Sequence, residues 1–209
     1  MKKKLSGPTL RRLPRYYRIV CEHFERGEEY IRSVEIARRL DVDETQVRKD
    51  IAAINYSGKP KIGFNTKEFK AHLESFLDLS NAKKAFLIGA GSLGLALAKY
   101  TGFNKYGLDI IALFDVDPHK IGLKIAEKEI FHISEFTEKV CEQDIKIVII
   151  AIPGEEAQKM ATLAVNSGIK AIWNFAPINI EVPKEIIVAN QDIAADFVIL
   201  SMKIDENKG

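Results

Sequence analysis

Up to about residue 55 the apolar positions recur every three or four residues, the spacing of helices with one buried face. Beyond residue 83 they gather into short continuous runs separated by polar or glycine-rich links. The first pattern predicts three helices. Tyr16, Ile19, Val20 and Phe24 mark one from about Leu13 to Arg26, closed by Gly27 and with Pro14 in its first turn. Ser33 opens a second, about two turns long, that carries Val34, Ile36, Ala37 and Leu40 inward. After Asp41-Val42-Asp43 a third runs from about Glu44 to Ile54, with Val47, Ile51 and Ile54 on one face and Thr45, Gln46, Arg48 and Lys49 on the other. Two helices joined by a three-residue turn fit a helix-turn-helix. Gln and Arg on the second helix can bond base edges bidentately, and Lys suits phosphate. Gly58-Lys59-Pro60-Lys61-Ile62-Gly63-Phe64 predicts a β-turn between two short strands, a wing with Lys59 and Lys61 at its tip.

The second pattern alternates strand and helix. Lys83 to Ile88 reads as a strand, Leu93 to Tyr100 as a helix, and Gly89-Ala90-Gly91-Ser92-Leu93-Gly94 joins them. G-x-G-x-x-G at a strand-to-helix junction is a dinucleotide fingerprint. Gly89 permits the tight turn, Gly91 lets the backbone approach a pyrophosphate, and Gly94 lets the helix pack on the sheet. A strand from Leu108 to Phe114 then ends in Asp115, 21 residues past Gly94. An acid there accepts from the adenine-ribose 2′-hydroxyl and repels a 2′-phosphate, so the expected cofactor is NADH/NAD+ rather than its phosphorylated counterpart. Further strands at Ile145 to Ile152 and Lys170 to Trp173, with a helix from Glu155 to Ser167 between them, predict an α/β Rossmann fold with a doubly wound parallel sheet. Ile152, Pro153 and the run Asn174-Phe175-Ala176-Pro177 fall at strand C-terminal ends, where such sheets bind ligands.

Length and charge sharpen this division. The 209 residues, 46% hydrophobic and 29% charged, suit two modest globular domains and leave little room for a separate substrate domain. Residues 1 to 80 form the expected winged helix, 81 to 190 the Rossmann domain and 191 to 209 a C-terminal helix. The first of these holds 17 Lys/Arg against 12 Asp/Glu, whereas residues 81 to 209 hold 14 against 17. Residues 1 to 20 carry seven Lys/Arg and no acid, which adds Arg11 and Arg12 to the DNA-binding candidates. No apolar run approaches the ~20 residues needed to span a bilayer, and a soluble cytoplasmic protein is expected. Cys21 and Cys141 are far apart and read as small buried hydrophobes, and the four histidines have no ligand spacing, so no metal is expected.

Several segments together resemble the Rex family of bacterial redox-sensing repressors along nearly the whole chain. They are Arg12-Leu13-Pro14-Arg15-Tyr16-Tyr17-Arg18, Gln46-Val47-Arg48-Lys49-Asp50, the glycine turn with Tyr100 and Gly102-Phe103, Phe114-Asp115-Val116-Asp117-Pro118, and Asn174 to Pro177 followed by Val182-Pro183. The resemblance implies a homodimer that binds a pseudo-palindromic double-stranded operator when NADH is scarce and releases it when NADH binds. It implies that the last helix, about Asp192 to Lys203, crosses into the partner subunit as a domain-swapped helix. It also implies switch roles for Arg18, Tyr100 and Asp192, with Tyr100 near the nicotinamide and an Arg18 to Asp192 ion pair formed in one state only. The segment after the third helix, Ala52 to Gly58, and the wing Lys59-Pro60-Lys61 depart from the aromatic, glycine-rich stretch and Arg-Gly wing of the family. The rival reading, an NAD-dependent oxidoreductase with a DNA-binding appendage, lacks an evident catalytic acid or base over the nicotinamide. A coenzyme A site would leave Asp115 poorly explained.

Overall fold

The computed structural model of the chain describes residues 5–206, which fall into two compact units, Met1–Asn81 and Ala82–Gly209. Lys2, Lys3 and Lys4 of the basic end, and residues 207–209 of the C-terminal segment, lie outside the described residues.

The first unit opens with α1 (Gly7–Glu25), earlier than the periodicity predicts. Ser6 caps it, accepting from Thr9 N at 3.3 Å, and the first-turn proline is Pro8 rather than Pro14. Pro14 lies inside the helix, where it removes one backbone hydrogen bond without ending it. β1 (Tyr30–Ile31) precedes α2 (Ser33–Leu40) and α3 (Glu44–Ala53). Asp41 in the left-handed region ends α2, and Asp43 caps α3 by accepting from Thr45 N at 2.7 Å. The wing differs from the predicted hairpin. Its tip closes through paired backbone bonds between Lys59 and Gly63, but the outgoing strand β2 (Phe64–Asn65) pairs antiparallel with β1, placing Ile31 opposite Phe64. Gly63 holds a φ of 121° within 2.5 Å of the Ile31 carbonyl, measured from where a Cβ would sit, so a larger residue could not make this join. A fourth helix, α4 (Thr66–Leu77), was not anticipated; it packs Phe69 and Leu73 into a core with Leu13, Tyr16, Val20 and Ile51.

The second unit is a seven-stranded sheet. Its strands are β3 (Lys83–Ile88), β4 (Leu108–Asp115), β5 (Lys124–Ile125), β6 (Lys128–His132), β7 (Ile147–Ile150), β8 (Ala171–Asn174) and β9 (Ile187–Asn190). The order is β5-β6-β4-β3-β7-β8-β9, parallel throughout except for β5 at one edge. Omitting β5, this is the doubly wound order with its switch point between β3 and β7. Alternate residues of one strand feed opposite cores: Phe86 and Ile88 join Phe114 and Val148 on one face, while Leu87 joins Leu113 and Ile149 on the other. Burial on both faces is why these strands read as continuous apolar runs. The helices are α5 (Ser92–Lys99), α6 (Phe136–Glu142), α7 (Gly154–Asn166) and α8 (Ile193–Glu206).

Cys141 corrects a prediction. α6 buries Phe136 and Val140 at i and i+4, which turns Cys141 to the exposed side, and Cys21 is only half-buried.

Candidate functional site

The nucleotide cradle is built by steric exclusion. A Cβ on Gly89, whose φ is 105°, would stand 2.4 Å from the Ala151 carbonyl, and one on Gly94 would stand 1.8 Å from the Gly89 carbonyl. Only glycine lets α5 start this close to β3 and β7. Gly91 is different: nothing lies within 4 Å of its Cβ position. It is the N-cap of α5 with no side-chain cap, so the first turn of N–H groups at Ser92 and Leu93, both exposed, faces open space. That vacancy above Gly91, framed by two glycines that cannot be replaced, is the shape a pyrophosphate needs.

Asp115 ends β4 beside this turn with only 10% of its side chain exposed. Its Oδ2 accepts from Ala90 N at 2.7 Å and Lys120 Nζ at 3.2 Å, and its Oδ1 from Val116 N at 2.8 Å and Asp117 N at 2.9 Å. Burial by itself would raise its pKa, but the backbone donors and Lys120 outweigh it and hold the carboxyl below its ordinary range. It is a fixed anion where the adenine ribose of a dinucleotide is expected. A cavity of about 600 Å³ opens over it, lined by Gly89, Gly91, Asp115, Ile152, Pro153 and Ser134. Ser134 and Lys120 were not picked out from the sequence. β6 shows only Ile130 and Phe131 as adjacent apolar residues, so neither that strand nor the loop after it was legible.

The remaining nucleotide candidates separate by role. Asn174 is fully buried, and its amide group is engaged by its own loop and by the end of β9: Nδ2 donates to Ile178 O at 2.8 Å and Asn190 Oδ1 at 2.9 Å, and Oδ1 accepts from Ala176 N at 3.0 Å. Asn174 and the buried Ala176 therefore hold this loop together from inside. Tyr100 and Phe175 end an aromatic ladder: Tyr100 meets Phe103 at 4.9 Å, Phe103 meets Trp173 at 5.5 Å and Trp173 meets Phe175 at 4.8 Å between ring centroids. Neither lines the 600 Å³ cavity, and Pro177 is exposed beside Gly154 at the start of α7.

In the first unit, Thr45, Arg48, Lys49, Lys59, Lys61 and Arg11 are all exposed. A groove of about 680 Å³ runs between α3 and the wing, lined by Ser33, Glu44, Arg48, Tyr56, Lys59 and Lys61. Arg48 reaches back to Glu44 and to Ser33 Oγ at 3.2 Å, and Lys59 Nζ donates to Tyr30 Oη at 3.1 Å. Two further candidates, both half-buried, are engaged inside the unit. Arg12 donates from Nε and Nη2 to Asp50 at 2.6 and 3.0 Å, and Gln46 Nε2 donates to Asp50 Oδ1 at 2.9 Å. Asp50, 2% exposed, gathers them together with Thr9 Oγ1 at 3.0 Å and Tyr16 Oη at 2.7 Å. Asp50 was missed, although it shares the buried stripe of Val47 and Ile51.

Arg18 is exposed on α1, and Asp192 caps α8, its Oδ1 accepting from Ala195 N at 2.9 Å. α8 leaves Ile193, Phe197, Val198 and Leu200 more than half exposed. Among the described residues no group of His, Cys, Asp and Glu could hold a metal ion, and no helix is long and apolar enough to cross a membrane.

Fold and cradle together define a Rossmann nucleotide-binding domain preceded by a winged helix-turn-helix. Comparison with known proteins agrees with both parts: residues 80–178 match a family described as a CoA binding domain, and residues 4–52 one described as a putative DNA-binding protein N-terminus. The redox-sensing transcriptional repressor Rex of Treponema denticola is 42% identical, with 97% of each chain covered, and that of Bacteroides thetaiotaomicron is 38% identical, covering 98% of this chain and 93% of the relative. The chain belongs to the Rex family. Among solved structures, the Rex-family repressor RSP in complex with β-NAD+ and operator DNA matches with a TM-score of 0.91 at 34% identity, covering 99% of this chain and 95% of that one. RSP in complex with β-NADH matches at a TM-score of 0.88 and 34% identity, covering 99% and 97%.

Proposed function

We propose that this protein is a transcriptional repressor that senses the NADH/NAD+ ratio in the cytoplasm, binding operator DNA as a homodimer and releasing it when NADH binds. The observation that carries the reading is the cradle: two glycines fixed by contacts that exclude a Cβ, an open Gly91, and Asp115 held as an anion by three backbone N–H groups. This set suits a dinucleotide, with the α5 N-terminus toward the pyrophosphate and Asp115 toward the adenine-ribose diol. A bound nicotinamide dinucleotide supplies the redox state that is read.

The chain's own residues supply the rest. Arg48 and Lys49 on α3 face the major groove, and Lys59 and Lys61 on the wing face the phosphates, joined by Arg11 on α1. Phe175 and Pro177 give the nicotinamide side apolar walls, which disfavour the cationic NAD+ ring over neutral NADH. The exposed apolar face of α8 is the dimer contact, and Arg18, Tyr100 and Asp192 serve the switch. Coenzyme A, which the description of one matching family raises, carries a 3′-phosphate on the same ribose. The Asp115 carboxylate disfavours it there.

Fluorescence-anisotropy titration of the full chain with a palindromic duplex, with and without each nucleotide, tests the reading. Release by NADH and not by NAD+ supports it. Tighter binding of coenzyme A than of NADH would replace it with the coenzyme A reading.

A further inference from the structure

Asp115 carries a feature that a ribose-binding acid does not need. A carboxylate offers about four acceptor positions. Here all four are taken: Ala90 N and Lys120 Nζ on Oδ2, and Val116 N and Asp117 N on Oδ1. For Asp115 to accept a ribose hydroxyl, one donor must leave. Three are backbone donors: the Ala90 N–H belongs to the glycine turn, where Gly89 and Gly94 stand too close to Ala151 and to each other to carry a Cβ, and the Val116 and Asp117 N–H groups follow directly from β4 in the chain. Lys120 is the one side-chain donor, on a flexible four-carbon stem, and a second carboxylate is at hand to receive it: Asp117 Oδ2 lies 3.6 Å from its Nζ. Lys120 also lines the 600 Å³ cavity, so the ammonium stays at the mouth of the ribose position after it moves.

We infer that Lys120 is a specificity-determining residue of the nucleotide site, the exchangeable partner of Asp115 that sets how strongly a 2′-phosphate is excluded. The inference deepens the dinucleotide reading above and rests on it. With a free 2′-hydroxyl, the ribose replaces Lys120 on Asp115 and the ammonium moves to Asp117, so Lys120 competes with NADH and adds nothing to its binding. With a 2′-phosphate, the displaced ammonium lies beside two negative charges of the ligand and offsets the repulsion from Asp115 and Asp117. Exclusion of the phosphorylated cofactor is therefore graded, with Lys120 pulling against the two aspartates.

The test is direct titration of the full chain with NADH and with NADPH, followed by nicotinamide fluorescence, for wild type, Lys120→Met and Lys120→Arg. Lys120→Met is expected to bind NADH as tightly as wild type or more so, and NADPH about tenfold more weakly, the loss of one charge-assisted contact. Lys120→Arg keeps the charge and is expected to keep the wild-type ratio of the two affinities. Lys120→Gln serves as a second neutral variant, and thermal melts of each verify folding. A ratio that stays at its wild-type value in both neutral variants overturns the inference, as does a loss of NADH affinity equal to that of NADPH. Wild-type protein that binds neither nucleotide overturns the dinucleotide reading itself, which separates the two failures.

Discussion

Asp50 and Asp115 are the same side chain, each almost out of water and each ringed by donors, yet their surroundings differ in kind. Asp50 is held entirely by side chains: Thr9, Arg12 and Tyr16 reach it from α1, and Gln46 from its own helix. The result is a closed staple between α1 and the helix that presents Arg48 and Lys49. Asp115 is held mainly by backbone N–H groups, which stay put whatever the neighbouring side chains do, and it borders a cavity. Burial and ionisation alone do not separate the two acids. What separates them is whether the donors are backbone and whether empty space adjoins the carboxylate.

The comparison breaks if the two acids respond alike to removal. Asp50→Ala leaves the buried Tyr16 and Thr9 hydroxyls and the partly buried Arg12 guanidinium without their shared partner, and it is expected to destabilise the first unit by about 3–5 kcal/mol, the range for breaking a buried ion pair. Chemical denaturation should show that loss while NADH affinity, measured where the protein remains folded, is unchanged. Asp115→Ala should do the reverse, leaving denaturation little altered and weakening NADH by about 1–3 kcal/mol. A destabilisation by Asp115→Ala as large as that by Asp50→Ala would erase the distinction.

Operator binding sharpens the contrast further. Arg48→Ala and Lys49→Ala each remove an exposed charge and should weaken operator binding by about 1–3 kcal/mol while leaving NADH binding intact. The affinity of the wild type should fall steeply with added salt, and a salt-independent affinity would argue against phosphate contacts.

A smaller effect is expected in acid. Burial alone would raise the Asp50 pKa, but Arg12, Tyr16, Gln46 and Thr9 together bring it below the ordinary value. The folded state therefore gains stability above the unfolded carboxyl pKa, about 3.9, and loses it as pH falls through the lower folded value. Asp50→Asn should flatten that acid limb of the unfolding profile, and Tyr16, whose own pKa is raised by burial and by Asp50, should contribute nothing in acid. Least visible in affinity is Asp192→Asn. Asparagine caps a helix as well as aspartate, so α8 and NADH binding should persist, and only release from operator should fail if the charge serves the switch. Normal release in that variant would leave Asp192 as a cap and nothing more.

What the sequence made legible follows from how local each signal is. The glycine turn and Asp115 were readable because tight turns and strand ends constrain residue type over a few positions, and the structure puts Gly89, Gly91 and Asp115 on one cavity. The helix-turn-helix was readable because Ile36, Ala37, Val47 and Ile51 keep helical spacing. Strands of the sheet margin were not: β5 has two residues, and β9 exposes Ile187, so neither gives a buried run. α4 was not predicted, although Phe69 and Leu73 stand at helical spacing after an Asn65 cap. Of the partners of Asp50, Gln46 alone lies within helical reach; Thr9, Arg12 and Tyr16 are 34 to 41 residues away in sequence and meet it only through tertiary packing.

The central claim is that one nucleotide, distinguished by its redox state, controls the grip on DNA. Measuring operator affinity across NADH concentrations at constant NAD+, and NADH affinity with and without operator, tests it from both sides. The account predicts that NADH lowers operator affinity and that operator lowers NADH affinity by the same factor, a 100-fold effect in each direction corresponding to about 2.7 kcal/mol of coupling. Operator affinity that is unchanged by saturating NADH would contradict it.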